Sequence, residues 1–276
     1  MPGIPPAPFA RRGWMAVSAV ASAVVLVAAC DTTSSFTPGE QNWGFINVAA
    51  RSTSAGEFRT APFASFFRGA VSSVPNSLSR TDSCFAAGEF VEPVTTFANV
   101  TYLDAGASVA TTIGGVKTEL PRGTTNGVTT YGLTSGTTVG YRPGDSVIVQ
   151  VPGATGGYPT AEVRGKTAEA FTIQSIAPSL DSALQLRWTP ATDGASSLIV
   201  SLQYTTSSGT GRAQEIRCSF TDDGVDSIPA RQHAAWSAQG NSNRKAVFTR
   251  LRTNLIAVPS GAIEFISTFA VPTPLP

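Results

Sequence analysis

Strict alternation of apolar and polar residues in the second half of this chain leaves few folds open to it. Val147, Val149 and Val151 fall on one side of an extended segment, with Ser146, Ile148 and Gln150 on the other. Leu184, Leu186 and Trp188 share a face opposite Gln185 and Arg187. Leu198, Val200, Leu202 and Tyr204 do the same across Ser201 and Gln203, and Ile216, Cys218 and Phe220 oppose Glu215, Arg217 and Ser219. Successive side chains of a strand point to opposite faces, so this period of two indicates antiparallel strands with one face in a core and one wet. Beyond the N-terminal segment no stretch sustains a helical period; the best helix candidate is the short Ala230–Ala238. Many short strands between Gly/Pro turns predict an all-β fold of antiparallel sandwich type.

The first half carries the same signal less cleanly. Phe45–Ala50 is expected to pair with a segment around 61–71 across the turn-rich Ser52–Gly56, and Phe58, Phe63, Phe66 and Phe67 read as core. Ser72–Ser83 reads as a loop leading into Cys84. Ala98, Val100 and Tyr102 alternate, as do Val109, Thr111 and Ile113 before a Gly114-Gly115 turn. Val116, Thr118 and Leu120 follow, with Pro121 as the expected stop. The glycine- and threonine-rich stretch 123–140 fits either weak strands or a loop. Arg142-Pro143-Gly144-Asp145, Pro152–Pro159 and Asp223-Gly224 are turns. The tail adds Ala246–Leu251, Leu255–Val258 and Ile263–Phe269.

Residues 1–12 carry two arginines and no acid, and residues 13–29 carry no charge. A basic start, an apolar run and small residues before a break are the parts of an export signal, and the run is short for a spanning helix. It ends in Val27-Ala28-Ala29-Cys30, which resembles the lipobox of bacterial lipoproteins, with Val in place of the usual Leu. The resemblance implies cleavage before Cys30, lipid on that cysteine, and a location on the exported side of a bacterial envelope membrane. More than one acyl chain is needed for stable anchoring, each buried methylene adding about 0.8 kcal/mol. Asp31–Asn42, polar and containing Pro38-Gly39, then serves as a tether from the lipidated Cys30.

Lipidation of Cys30 leaves Cys84 and Cys218, and an oxidising compartment favours a bridge between them over two separately buried thiols. They stand 134 positions apart. A loop of that order contributes about 4–5 kcal/mol in the chain-entropy account.

Leu184-Gln185-Leu186-Arg187-Trp188-Thr189-Pro190 resembles the second strand of a fibronectin type III or immunoglobulin-like domain, in which a Trp fills the space between two sheets. The resemblance spans roughly 165–272 and lacks the antibody Cys–Trp–Cys spacing, because Cys84 lies far upstream. The expected organisation is a signal at 1–29, lipidated Cys and tether at 30–42, a β-rich domain at 43–164, and an immunoglobulin-like sandwich at 165–276 that a disulfide would join to the first as one unit.

Chemistry is sparse. The chain is 13% charged with a net charge of +1, and its basic residues are scattered, which speaks against nucleic acid. There is no G-x-S-x-G elbow. His233 is the only histidine, in a stretch read as exposed loop. Ser242-Asn243-Arg244-Lys245 matches S-x-x-K but precedes a strand-like segment rather than opening a helix. Glu89 with Glu92 would be a carboxylate pair for glycoside hydrolysis, as would the acids of Asp222-Asp223-Gly224-Val225-Asp226. Asp222, Asp223 and Asp226 are also a candidate Ca²⁺ set, although they lack the D-x-D-x-D spacing and a distal Glu, and a hairpin turn is the simpler reading. No zinc, phosphate-loop or nucleotide pattern is present, so no cofactor is expected. The expected function is a lipid-anchored, non-catalytic envelope protein with a structural or adhesive role. The first alternative is a module binding a glycan or small ligand through exposed Trp43, Trp236 or Tyr158, with a protein or glycan as partner. The second is a hydrolase of unfamiliar site.

Overall fold

A computed structural model describes residues 41–53, 57–69, 82–89, 100–177, 183–192, 194–205, 214–240, 243–259 and 261–273. The expected signal segment, Cys30, the expected tether up to Glu40, Glu92, Ser242 and most of the expected 72–83 loop lie outside the described residues, as does the side chain of Glu89.

β1 (Gln41–Ala49) turns Ile46 and Val48 to one face and Trp43 and Phe45 to the other. After the short β2 (Arg51–Ser52) and β3 (Phe58–Thr60), β4 (Phe63–Gly69) returns antiparallel to β1, as its aromatic-rich sequence predicts, with Trp43 opposite Phe67. β5 (Ser83–Glu89) carries Cys84, and β6 (Thr101–Tyr102) pairs with β4. β7 (Ser108–Ile113) and β8 (Val116–Thr125) form a hairpin over Gly114 and Gly115, both in the left-handed region that glycine reaches without a Cβ penalty.

Pro121 does not end β8. It stands opposite Ser108 where the strand changes partner, since Arg122 is already paired with Tyr131 of β9 (Val128–Gly132). The next amide, that of Arg122, donates to Ala107 O at 3.0 Å, so Pro121 occupies the alternate position of the antiparallel ladder, where β7 asks for no N–H. The stretch 123–140 therefore holds ordered strands: β8 turns into β9 over Asn126-Gly127, both with positive φ, and β10 (Val139–Gly140) follows.

β11 (Ser146–Val151) and β12 (Ala161–Lys166) are paired antiparallel. β13 (Ile173–Ala177), β14 (Leu184–Trp188), β15 (Ser196–Tyr204), β16 (Gln214–Thr221) and β17 (Val225–Ile228) come next. The predicted helix is present as α1 (Ala230–Ser237), started by Pro229, whose fixed φ suits the position before a first turn. The three expected tail segments are two long strands, β18 (Arg244–Val258) and β19 (Gly261–Thr273), in one hairpin.

The strands form a 13-stranded sheet in the order β12-β11-β7-β8-β9-β4-β1-β19-β18-β15-β16-β5, with β6 beside β4, and two three-stranded sheets, β10-β3-β2 and β13-β14-β17. Every pairing is antiparallel except β1 with β19. The last seven strands reproduce an immunoglobulin-like Greek key. Taken in chain order, the first, second and fifth lie on one sheet, and the fourth, third, sixth and seventh lie on the other. Trp188 fills the space between the sheets, fully buried and 6.5 Å from the Phe220 ring.

β1, β4, β6, β7, β8, β9, β11 and β12 extend the second sheet beyond β19, while β5 joins it at the other edge through β16. That extension curls until β12 packs back over β18 and β19 without closing a hydrogen-bonded barrel. Gly165 of β12 makes the approach possible: a Cβ there would sit 2.8 Å from the Phe265 ring. One continuous cluster of buried side chains runs from Val109 and Val149 through Phe265 to Trp188 and Phe220. Strands from both sides of position 165 thus contribute to the same sheet and the same core.

A wet outer face, expected of every strand, is found on β11, β12 and β14 but not at the centre of the large sheet. There Trp43, Phe67 and Ala262, and separately Ile199, Leu251 and Ile266, form buried clusters on the face opposite the main core, and Ser219 is buried as well. Strands in the middle of so wide a sheet are buried on both sides, which is why Ile199 breaks the polar positions of β15.

Candidate functional site

The outward positions of β8, β7, β11 and β12 meet in a shallow polar groove of about 600 Å³. Register aligns one cross-strand row of four side chains: Glu162 faces Gln150, Gln150 faces Ala110, and Ala110 faces Glu119. The adjacent row is Arg164, Ile148, Thr112 and Lys117. Ser108, Pro152, Thr160 and Ala161 complete the wall on the other side. Alternation explains the composition, because the inward neighbours Val109, Val149 and Val163 are all in the core.

Each carboxylate is held from two sides. Glu119 accepts from the Ser108 hydroxyl at 2.8 Å and is 3.1 Å from the Lys117 ammonium. The hydrogen bond from Ser108, and after it the one from Lys117, holds the Glu119 carboxyl below its ordinary value. Glu162 is 2.6 Å from the Arg164 guanidinium and 3.4 Å from the Gln150 amide nitrogen. Three strand spacings separate β8 from β12, about 14 Å between the backbones that carry the two acids. The two acids thus stand at opposite ends of the row, with Gln150 and Ala110 between them.

The residues singled out by sequence have other places. Cys84 and Cys218 face one another across β5 and β16 and form a disulfide. Trp43, Trp236 and Tyr158 are all buried, so they present no exposed aromatic surface. Trp236 donates to Lys245 O at 3.2 Å, with the Arg244 guanidinium 4.7 Å above its ring. Tyr158 packs on Phe66 at 4.5 Å between ring centres. His233, expected on a polar surface, is fully buried in α1 with Nδ1 2.7 Å from the Ser237 hydroxyl. It lies on the expected helix, whose i, i+3 pair His233 and Trp236 points inward rather than to the surface. Lys245 of the S-x-x-K match lies on a strand, not at the opening of a helix.

The three aspartates do not converge on a common centre. Asp222 is buried and bound by Arg250, with Nε to Oδ2 at 2.6 Å and Nη2 to Oδ1 at 2.9 Å, while Trp188 Nε1 donates to Oδ1 at 2.7 Å. Asp223 accepts from the Val225 amide at 3.2 Å, in the hairpin turn where Gly224 takes a positive φ. Asp226 accepts from the Ser227 amide at 2.6 Å. Burial, with Asp82 and Asp223 nearby, pushes its carboxyl above the ordinary range. Among the described residues no group of three or more His, Cys, Asp or Glu side chains is placed to hold a metal ion.

The groove residues Ser108, Glu119, Gln150 and Glu162 lie on four strands and form no local motif. The only sequence sign of them is that each occupies an outward position of an alternating strand. No protein-family model matches the chain, and no curated protein matches it.

Proposed function

We propose that the protein is a lipid-anchored component of a bacterial cell envelope, with a non-catalytic structural or adhesive role carried by its immunoglobulin-like sandwich. The observation that carries the non-catalytic part is the fate of the reactive side chains. His233 is enclosed in α1 against Ser237, and Asp222 is enclosed against Arg250. The anchor is supported by Val27-Ala28-Ala29-Cys30 at the end of a charge-free run. Among the described residues no helix is long and apolar enough to cross a membrane.

The test is partitioning. The wild-type chain should fractionate with membranes and enter the detergent phase, and Cys30→Ser should move it to the aqueous fraction. Unchanged partitioning of Cys30→Ser would remove the anchor from the proposal. A second reading, binding of a glycan or another small ligand, is favoured by the polar groove over β8, β7, β11 and β12.

A further inference from the structure

The groove has properties that narrow its ligand. The first is charge. Glu119 and Glu162 each have a cation two residues along the same strand, Lys117 at 3.1 Å and Arg164 at 2.6 Å. A cationic ligand would have to displace those partners, and an anionic one would meet the carboxylates. The second is hydrogen bonding. Ionised carboxylates only accept, and the Ser108 and Thr160 hydroxyls, which already donate to Glu119 and to Val151 O, offer lone pairs as well, whereas the Gln150 amide both donates and accepts. A ligand that satisfies this wall offers mainly donors, as hydroxyl groups do, with an acceptor for Gln150 at the centre.

The third property is the backbone. β7 is paired on one side with β8 and on the other with β11, and β11 is paired with β7 and β12. The middle of the groove floor therefore offers no free main-chain ladder to which a peptide could add as a strand, and the one edge strand of the groove, β12, packs against β18 and β19. The fourth is shape. Ala110, in the middle of the row, leaves a trough between the longer side chains, and Pro152 and Ala161 give its wall C–H surface. The row is about 14 Å long between its outer strands, which suits several linked rings better than one.

We infer that this groove binds a neutral, hydroxyl-rich oligosaccharide chain laid across β8, β7, β11 and β12, with Glu119 and Glu162 accepting from its hydroxyls, Gln150 bonding at the centre, and Ala110 making room for a ring. The inference rests on the ligand-binding reading and is independent of lipid on Cys30. Among the described residues no aromatic ring lines the groove, so the contacts are hydrogen bonds and C–H packing, and the complex is weak and fast-exchanging.

The experiment uses the full chain in a detergent whose headgroup carries no sugar. Saturation-transfer NMR and titration are run with cellohexaose, chitohexaose and maltohexaose as neutral probes, oligogalacturonate as the anionic probe and spermine as the cationic one. At least one neutral hexasaccharide should bind, with an affinity that changes less than twofold between low and high salt, because no ion pair with the ligand is screened. Ala110→Trp, on an outward strand position, should abolish that binding, and Gln150→Ala should weaken it about tenfold, the size expected for losing a central hydrogen bond. Glu119→Gln and Glu162→Gln keep an acceptor and should cost less than Gln150→Ala. Unchanged far-ultraviolet dichroism and melting of each variant separate lost binding from lost fold. Binding of spermine or oligogalacturonate alone overturns the neutral oligosaccharide as the ligand while leaving a small-ligand module. Absence of binding to every probe, or neutral binding untouched by both Ala110→Trp and Gln150→Ala, overturns the site itself.

Discussion

Arg250 is a charged side chain with none of its surface exposed, and every contact it makes is specific. It is paired with Asp222, donates to Ala170 O at 3.1 Å, and lies 4.9 Å from the centre of the Phe171 ring. Leaving one member of such a pair alone in a core costs about 3–5 kcal/mol, because the remaining charge is buried without a partner. Arg250→Met should therefore lower the unfolding free energy by that amount, read as a lower denaturant midpoint. Adding Asp222→Leu should recover part of the loss, although Trp188 Nε1 then loses its acceptor, at about 1–3 kcal/mol. A midpoint for Arg250→Met equal to wild type would show that the pair contributes nothing to stability. Tyr141 makes the complementary case for a neutral group. Its hydroxyl donates to Ala168 O at 3.0 Å and is 3.2 Å from the Ser267 hydroxyl, tying the curled part of the sheet to β19. Burial pushes the phenol up from 10.0 to about 12. Between those values the unfolded chain releases the proton and the folded chain keeps it. The stabilisation is complete below pH 10 and is lost as pH rises towards about 12, amounting to roughly 2–3 kcal/mol at the upper end. Urea unfolding at pH 9, 10, 11 and 12 should show that decline, flattened in Tyr141→Phe. An equal decline in both proteins would assign it to other groups.

At the scale of elements, β5 depends on its neighbour more than any long strand does. It is the last strand of the large sheet, paired only with β16, and Cys84–Cys218 lies in that pairing. Removing both thiols as Cys84→Ala/Cys218→Ala should cost about 2–5 kcal/mol, most of it through the freedom regained by the unfolded chain. Hydrogen exchange should then accelerate over residues 83–89 before it does in β15. Protection of β5 equal to wild type would show that pairing with β16 suffices without the covalent link. The cysteine count made this bridge legible, and alternation made β11, β14, β15 and β16 legible, because each buries one face and leaves the other largely polar. The hairpin β8–β9 was harder to see, since β8 is mostly exposed, β9 is mostly half-buried, and the stretch where they pair is threonine-rich with no apolar period. Its one strong sign is Asn126-Gly127, which supplies two positive φ values in succession. The role of Asp222 was illegible for a different reason: its partner Arg250 stands 28 positions away on another strand, and sequence distance says nothing of that juxtaposition. The polar groove is hidden in the same way, being assembled from four strands whose outward residues look like ordinary surface.

At the scale of the whole molecule, the parallel pairing of β1 with β19 decides whether the chain unfolds in one step or two. Asn42 to Ala49 pair with Gly261 to Thr268, while β18, the other arm of the same hairpin, pairs with β15 over Ser196 to Tyr204. The β18–β19 hairpin therefore serves both the curled part of the sheet and the sandwich. If the curled part left first, the edge of β19 would lose its partner over Gly261 to Thr268, and the core around Phe265 would open to water. If the sandwich left first, β19 would lose β18, and with it the support on which β1 pairs. Each route exposes backbone and apolar surface belonging to both regions, so intermediates are disfavoured and a single cooperative transition is expected. Tryptophans report on both sides: Trp43 lies on β1 beside Phe67, and Trp188 lies between the sheets of the sandwich. Variants that keep only one of the two, with the other tryptophans changed to Phe, should each give a fluorescence transition in urea whose midpoint matches that of the far-ultraviolet dichroism of the same protein. In every variant the two signals should coincide, whichever tryptophan remains. Fluorescence and dichroism that part company in the Trp43 variant but not in the Trp188 variant would mean that the curled sheet melts independently, and that β19 keeps its place through the sandwich alone.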